Sequence, residues 1–80
     1  MNRVRLQYYA QLREQAGCSE EALETAASTL AALYAEAQVR HGFALPLEAL
    51  KVAVNQRFAH WEDVPADGDV VVFIPPVAGG

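Results

Sequence analysis

The chain has 80 residues, of which 52% are hydrophobic and 20% are charged, a balance that predicts one small globular domain and argues against disorder. The formal net charge is −4 and the six Lys and Arg residues are scattered, which argues against a nucleic-acid ligand. No apolar run approaches the length of a membrane span, and the single cysteine, Cys18, rules out an internal disulfide, so we expect a cytoplasmic protein that does not enter a membrane.

The opening residues predict a strand followed by a short helical turn. Apolar side chains occupy the even positions of residues 4–10, which is the alternation of a half-buried strand. The predicted core positions of this strand are Val4, Leu6, Tyr8 and Ala10. Residues 11–16 are rich in helix formers and stop at Gly17, a residue suited to end a helix.

One ambiguous segment precedes the main predicted helix. Residues 19–27 have helical propensity, and their glutamates, Glu20, Glu21 and Glu24, have no histidine at metal-ligand spacing, so we expect them to form a solvated edge. Ser28 or Thr29 is a suitable N-cap for the helix that follows. Its apolar residues recur at i, i+3, i+4 and i+7, and it should end at residues 41–42, with His41 interacting with the helix C-terminus rather than acting in catalysis.

The second half of the chain predicts three strands. After a connector over residues 43–50, residues 51–54 and 57–59 should form a hairpin around Asn55-Gln56, because Asn tolerates the positive φ of a tight turn. His60 lies near two carboxylates but has no second histidine beside it, so a metal site is not expected. Residues 64–68 favour a turn, and residues 70–74 form the last strand, with Val71 and Phe73 on one face.

The last six residues predict an extended tail with a reactive end. Pro75 and Pro76 lack backbone N–H groups, so the sheet should end at Ile74 and the tail could span roughly 19 Å at about 3.1 Å per residue. Gly79 and Gly80 have no Cβ, so the tip is narrow and only the α-carboxylate of Gly80 offers chemistry. Once adenylated, this carboxylate would be open to a sulfur or nitrogen nucleophile; the alternative is an inert terminus.

Three stretches carry a resemblance to a known family. The ending Phe73-Ile-Pro-Pro-Val-Ala-Gly-Gly80, preceded by Asp67-Gly-Asp69, resembles that of molybdopterin synthase small subunits, the MoaD family of ubiquitin-like sulfur carriers. Tyr8-Tyr-Ala-Gln-Leu-Arg-Glu14 is similar to the family's aromatic-aromatic-Ala-x-Leu-Arg-Glu opening, and Val52-Ala-Val-Asn-Gln56 resembles its central hairpin strand.

The resemblance implies an α+β fold of the β-grasp type. In this fold the first and last strands lie parallel at the centre of a mixed sheet, and one main helix packs across it. It also places the second strand in residues 19–27, where propensity alone favours a helix. Residues 1–74 would then form the β-grasp domain and residues 75–80 an extended, flexible tail.

The face of this sheet away from the helix should be apolar. It would carry Tyr9, Phe58 and Ile74, with Val70 and Val72 nearby, and an apolar face beside a tail is typical of a docking surface. The alternative is that these side chains are core. Because the matching family positions contact partner proteins, the resemblance implies a docking role for Tyr9, Phe58, Ile74, Pro75, Pro76 and Val77.

The function implied by the resemblance is sulfur transfer. An ATP-dependent, E1-like enzyme would adenylate Gly80, and a sulfur donor system would convert it to a thiocarboxylate. The large synthase subunit, in a heterotetramer, would use this sulfur to build the molybdopterin dithiolene from cyclic pyranopterin monophosphate. The chain itself would bind no cofactor or metal and would not be an enzyme alone.

Three alternatives remain open from the sequence. The chain could be a sulfur carrier for thiamine synthesis or tRNA thiolation, a ubiquitin-like protein modifier that forms isopeptide bonds with lysine, or an interaction domain with an inert tail.

Overall fold

The computed structural model describes residues 1–76 and contains five strands and two α-helices. The elements are β1 (Asn2–Tyr8), α1 (Ala10–Ala16), β2 (Glu20–Thr25), α2 (Leu30–His41), a 3-10 turn (Leu47–Ala49), β3 (Lys51–Val54), β4 (Arg57–Ala59) and β5 (Val70–Ile74). None of the helices within residues 1–76 is long and apolar enough to cross a membrane. Val77, Ala78, Gly79 and Gly80 lie outside the described residues, so the predicted boundary between domain and tail stays a prediction.

The five strands form one mixed sheet in the order β2-β1-β5-β3-β4. The first and last strands, β1 and β5, are parallel neighbours at its centre, while the other three pairs are antiparallel. This topology confirms the α+β, β-grasp prediction. The segment 19–27 does contain a strand, β2, so pairing with β1 overrides the helical propensity of its glutamates.

The core lies between the sheet and α2. On β1, Val4, Leu6 and Tyr8 are buried as the alternation predicts, and Val71 and Phe73 of β5 lie on the same face. Ala10 was predicted to continue this strand, and that prediction is wrong. The strand ends at Tyr8, and Ala10 is exposed, has φ 50° and opens α1.

The main helix is placed by its cap and by its apolar stripe. Of the two cap candidates the structure selects Thr29, whose hydroxyl accepts a hydrogen bond from the Ala32 N–H at 3.1 Å. The helix ends at Gly42, which has φ 70° and donates its N–H to the Gln38 carbonyl. Its buried residues are Leu30, Leu33, Tyr34 and Ala37.

Candidate docking face and tail root

The sheet face opposite α2 carries a row of side chains that crosses four strands. Gln7 pairs with Val72, Val72 with Ala53, and Ala53 with Phe58. Because paired residues in a sheet share a face, and Val72 alternates with the buried Val71 and Phe73, this row lies on the face without the helix. The Phe58 side chain is 77% exposed, so it is not part of the core.

Tyr9 and Ile74 lie at one end of the same face. Tyr8 and Phe73 form the last pair of the parallel ladder, so Tyr9 and Ile74 each follow that pair, and Ile74 also pairs with Lys51 of β3. Tyr9 has extended backbone angles (φ −129°, ψ 154°), which direct its side chain opposite to that of the buried Tyr8, and it is 51% exposed. Its carbonyl accepts the Leu12 N–H at 3.1 Å, so the start of α1 fixes its position.

The root of the predicted tail borders a small apolar cavity. Pro75 follows β5 directly, and Pro75 and Pro76 have no regular secondary structure. They line a cavity of about 220 Å³ together with Ala49, Lys51 and Ile74. Of the predicted docking residues, the structure therefore brings Tyr9 and Phe58 onto one face with Ile74, and that face continues into Pro75 and Pro76.

The remaining predicted site residues cannot be placed. Val77, Gly79 and Gly80, including the carboxylate on which the predicted chemistry depends, lie outside the described residues. Their roles therefore remain predictions. The structure describes only the strand and the two prolines that lead toward them.

The hairpin that carries Phe58 has a turn with two left-handed residues. Asn55 and Gln56 have φ values of 53° and 72°, which agrees with the predicted tight turn. Sequence reasoning missed a second role of Asn55. Its Nδ2 donates to Asp69 Oδ1 at 3.0 Å, and its Oδ1 accepts the Val70 N–H at 3.0 Å. The Asp67-Gly-Asp69 motif was the available signal, but nothing in the sequence pairs it with Asn55.

A polar cluster lies on the helix side of the sheet, at the end of α2. Tyr8 donates its hydroxyl to Glu21 Oε1 at 2.6 Å, and His41 Nε2 lies 2.7 Å from the same oxygen. Arg40 Nε is 3.7 Å from Glu21 Oε2. The prediction that Glu21 belongs to a solvated edge is therefore wrong, whereas Glu20 and Glu24 are exposed as expected. His41 does lie in the last turn of α2, but its ring binds Glu21.

This cluster shifts two pKa values. Burial, together with the hydrogen bond to Glu21 and the charge of its carboxylate, raises the pKa of Tyr8 far above its ordinary value, so its hydroxyl keeps its proton. Burial acts to raise the pKa of Glu21, but its hydrogen bonds with His41 and Tyr8 and its electrostatic interactions with His41 and Arg40 outweigh burial and lower that pKa. The cluster is thus a hydrogen-bonded network around the Glu21 carboxylate that links β2 to α2.

The described part of the chain offers no arrangement for metal binding. Within residues 1–76, no group of three or more His, Cys, Asp or Glu side chains could hold a metal ion. Cys18 is a free thiol of intermediate exposure. His60 is exposed, and Trp61 beside it packs against the core.

The parallel central strands and the single main helix define the class of the protein, which is a ubiquitin-like β-grasp domain. The chain belongs to the ThiS family, whose sequence model matches residues 6–80. It is 38% identical to the molybdopterin synthase sulfur carrier subunit of Escherichia coli K12, over 96% of this chain and 99% of that protein. The resemblance to molybdopterin synthase small subunits is thereby confirmed.

Two solved structures extend the comparison. A putative molybdopterin converting factor subunit 1 from Pyrococcus furiosus superimposes with a TM-score of 0.80 at 30% identity, covering 96% of this chain and 100% of that one. Subunit 1 of the molybdopterin-converting factor from Helicobacter pylori, solved in complex with subunit 2, matches at TM-score 0.68 and 25% identity. That match covers 98% of this chain and 99% of the Helicobacter chain.

Proposed function

We propose that this chain is the sulfur-carrier small subunit of a molybdopterin synthase and that the α-carboxylate of Gly80 carries the sulfur. The observation that supports this most directly is the continuity between the docking face and the tail root. Tyr9, Phe58 and Ile74 lie on one exposed face, and Ile74 passes directly into Pro75 and Pro76. A partner that binds this face therefore also lies next to the tail root at Pro75 and Pro76.

The proposed chemistry begins with activation of the carboxylate. A Gly80 oxygen attacks the α-phosphorus of ATP on an E1-like activating enzyme, which releases pyrophosphate and leaves an acyl adenylate. A sulfur nucleophile at the oxidation level of sulfide then displaces AMP and gives the thiocarboxylate. Because glycine has no side chain, the acyl carbon is unhindered toward the attacking sulfur.

The proposed partner is the large subunit of the synthase. The Helicobacter relative was solved as a complex of subunits 1 and 2 of the molybdopterin-converting factor. In this chain the exposed Phe58 supplies the kind of aromatic anchor that protein interfaces favour. The large subunit would provide the acids and bases for sulfur transfer to cyclic pyranopterin monophosphate, in two rounds. Binding the domain raises the effective concentration of the tail in that active site, so this chain contributes delivery and the sulfur atom.

The test is an intact-mass measurement after incubation with ATP, an activating enzyme and a sulfur source. We expect a mass increase equal to the exchange of one oxygen for one sulfur, and fragmentation should place it on Gly80. A matched chain with one alanine added after Gly80 should show no increase, because its carboxylate is displaced from the glycine tip.

Three results would contradict the proposal. One is an unchanged mass with an activating enzyme that is competent on another carrier. Another is a sulfur-loaded chain that forms no complex with a large synthase subunit. That result would favour a sulfur carrier for thiamine synthesis or tRNA thiolation instead. The third is a ladder of isopeptide conjugates in place of the thiocarboxylate, which would indicate a protein modifier.

A further inference from the structure

Asn55 attaches the turn of the β3–β4 hairpin to the start of β5. The ladder between β3 and β5 ends at the pair Val54–Val71, and Asn55 extends it by one more step. Its N–H donates to the Val70 carbonyl at 2.9 Å, and its side-chain Oδ1 accepts the Val70 N–H at 3.0 Å. Its Nδ2 also donates to Asp69 Oδ1 at 3.0 Å. The backbone N–H and the side-chain oxygen of Asn55 together supply the next rung of the sheet, with Oδ1 in place of a backbone carbonyl.

Asp69 is itself fixed by two other parts of the fold. Its second carboxylate oxygen, Oδ2, accepts the Ala66 N–H at 2.8 Å and closes the turn before β5. Its backbone carbonyl accepts the Arg5 N–H of β1 at 2.9 Å. The Asp69 carboxylate, which accepts from Asn55, is thus attached to the central strands. The hydrogen bond between Asn55 and Asp69 attaches the hairpin to the same part of the sheet.

Within residues 1–76, β4 is joined to β5 only through β3, so the contacts of Asn55 add a second attachment of the hairpin to the start of β5. Strand β4 is three residues long and lies at the edge of the sheet, and among the described residues it pairs only with β3. Phe58 is in the middle of β4, and its position relative to β5 depends on how the hairpin is held. Asn55 and Gln56 also form one wall of a groove of about 350 Å³ whose other lining residues are Gln7, Val70 and Val72, on the docking face.

We propose that Asn55 and Asp69 are positioning residues that fix Phe58 relative to the strand that leads into the tail, and that they thereby set the affinity for the partner. The inference rests on the proposed function, in which Phe58 docks a large synthase subunit while the tail enters its active site. A chain that holds Phe58 and the tail root in a fixed relative position should bind more tightly than one whose hairpin must first be ordered, because ordering costs free energy.

The test compares Asn55→Asp with a variant in which the pair is reversed. Asn55→Asp keeps the acceptor for the Val70 N–H and a residue type that tolerates positive φ, but it removes the Nδ2 donor and places a second carboxylate against Asp69. In the double variant Asn55→Asp with Asp69→Asn, the amide of residue 69 donates to the carboxylate of residue 55, and its Oδ1 still accepts from Ala66. The double variant also keeps the net charge of the wild type.

We expect Asn55→Asp to bind the large subunit about tenfold more weakly and the reversed pair to restore wild-type affinity. Titration calorimetry well below the unfolding temperature measures the affinity of fully folded protein. Amide hydrogen exchange on the free chain should show faster exchange at Val70 and across β4 in Asn55→Asp only. A residue with a merely stabilising role would change the unfolding temperature and leave the affinity of the folded protein unchanged.

A third variant, Phe58→Asp, separates failure of this inference from failure of the proposed docking. If Phe58→Asp abolishes binding while Asn55→Asp binds as tightly as the wild type, the positioning role is wrong and the docking face stands. If Asn55→Asp binds weakly and the reversed pair does not rescue it, the hydrogen bond is not the cause and the inference is overturned. Wild-type binding by Phe58→Asp would refute the docking face and the positioning role together.

Discussion

The carboxylate of Glu21 has three partners from two other elements. Tyr8 of β1 donates to it, His41 Nε2 of α2 lies 2.7 Å from it, and Arg40 of α2 places a positive charge beside it. The side chain of Glu21 is only 18% exposed, so solvent screens these contacts less than it screens a surface pair. Because the folded state lowers the pKa of Glu21, the folded protein favours its ionised form.

This shift gives the stability a defined dependence on pH. A carboxyl whose pKa is lower in the folded state stabilises the fold above its unfolded pKa, near the usual 4.5 of a glutamate, and loses that contribution as pH falls through the folded value. We expect Glu21→Gln to lower the free energy of unfolding by about 1 to 2 kcal/mol at neutral pH, and the difference from the wild type to shrink below pH 4.5. Urea unfolding across this pH range measures it.

The control for Glu21→Gln lies on the same strand. Glu20 pairs with Arg5 at 2.8 Å, but both side chains are about half exposed, at 52% for Arg5 and 45% for Glu20. Glu20→Gln should therefore change stability by less than about 1 kcal/mol. Two results would contradict this role for the ionised Glu21 carboxylate. One is an equal loss of unfolding free energy in both variants, and the other is a loss in Glu21→Gln that does not vary with pH.

At the scale of the element, α2 depends on how its first turn is closed. Three N–H groups at its start have partners: Ala32 donates to the Thr29 hydroxyl, Leu30 to the Asp63 carbonyl and Ala31 to the Trp61 carbonyl. The loop before β5 thus satisfies donors that a helix N-terminus leaves free. The side-chain cap is the one contact here that a single substitution can remove.

We expect Thr29→Ala to cost about 1 kcal/mol, which lowers the unfolding temperature by roughly 4 to 8 °C in a domain of this size. Ser28→Ala is the matched control, because Ser28 is exposed and precedes the cap. Thermal unfolding followed by circular dichroism compares the two. If Ser28→Ala lowers the unfolding temperature as much as Thr29→Ala does, the assignment of the cap to Thr29 is wrong.

The elements also show which features were predictable from sequence. Local periodicity predicts the alternation in β1 and β5 and the apolar stripe of α2, and local turn chemistry predicts the Asn55-Gln56 turn. None of these predictions requires knowing which element packs against which. The strand at Glu20–Thr25 was not predictable in this way, because its pairing with β1 outweighs local helical propensity; only the family resemblance placed it there. The docking face was likewise inferred from the order of elements.

The contacts of Glu21 and Asn55 escaped prediction for a related physical reason. Glu21 meets His41, which is 20 residues away, and Asn55 meets Asp69, which is 14 residues away. Such side-chain partners are set by how the elements pack, and no local pattern records them. For the same reason, the sequence predicted the role of Asn55 in the turn but not its hydrogen bonds to Asp69 and Val70.

At the scale of the whole molecule, the two sides of the domain differ in what an added charge should do. Phe58 on the helix-free face is 77% exposed and Val39 on α2 is 87% exposed, so an aspartate at either position stays in water and should change stability by no more than about 0.5 kcal/mol. We expect Phe58→Asp to weaken binding to the large subunit by at least about 30-fold and Val39→Asp to leave it unchanged. Binding titrations measure the affinity of both variants, and circular dichroism checks that they are folded. An equal loss of affinity in both would exclude an interface confined to the helix-free face.

The central place of β5 also bears on how the sheet is assembled. Without β5 the sheet consists of two separate pairs, β2-β1 and β3-β4, which no ladder joins. A chain that lacks β5 can therefore form these two pairs but not the whole sheet, because β5 is the strand that pairs with both β1 and β3. Because β5 leads directly into Pro75 and Pro76, the strand that completes the docking face is also the strand that carries the tail root.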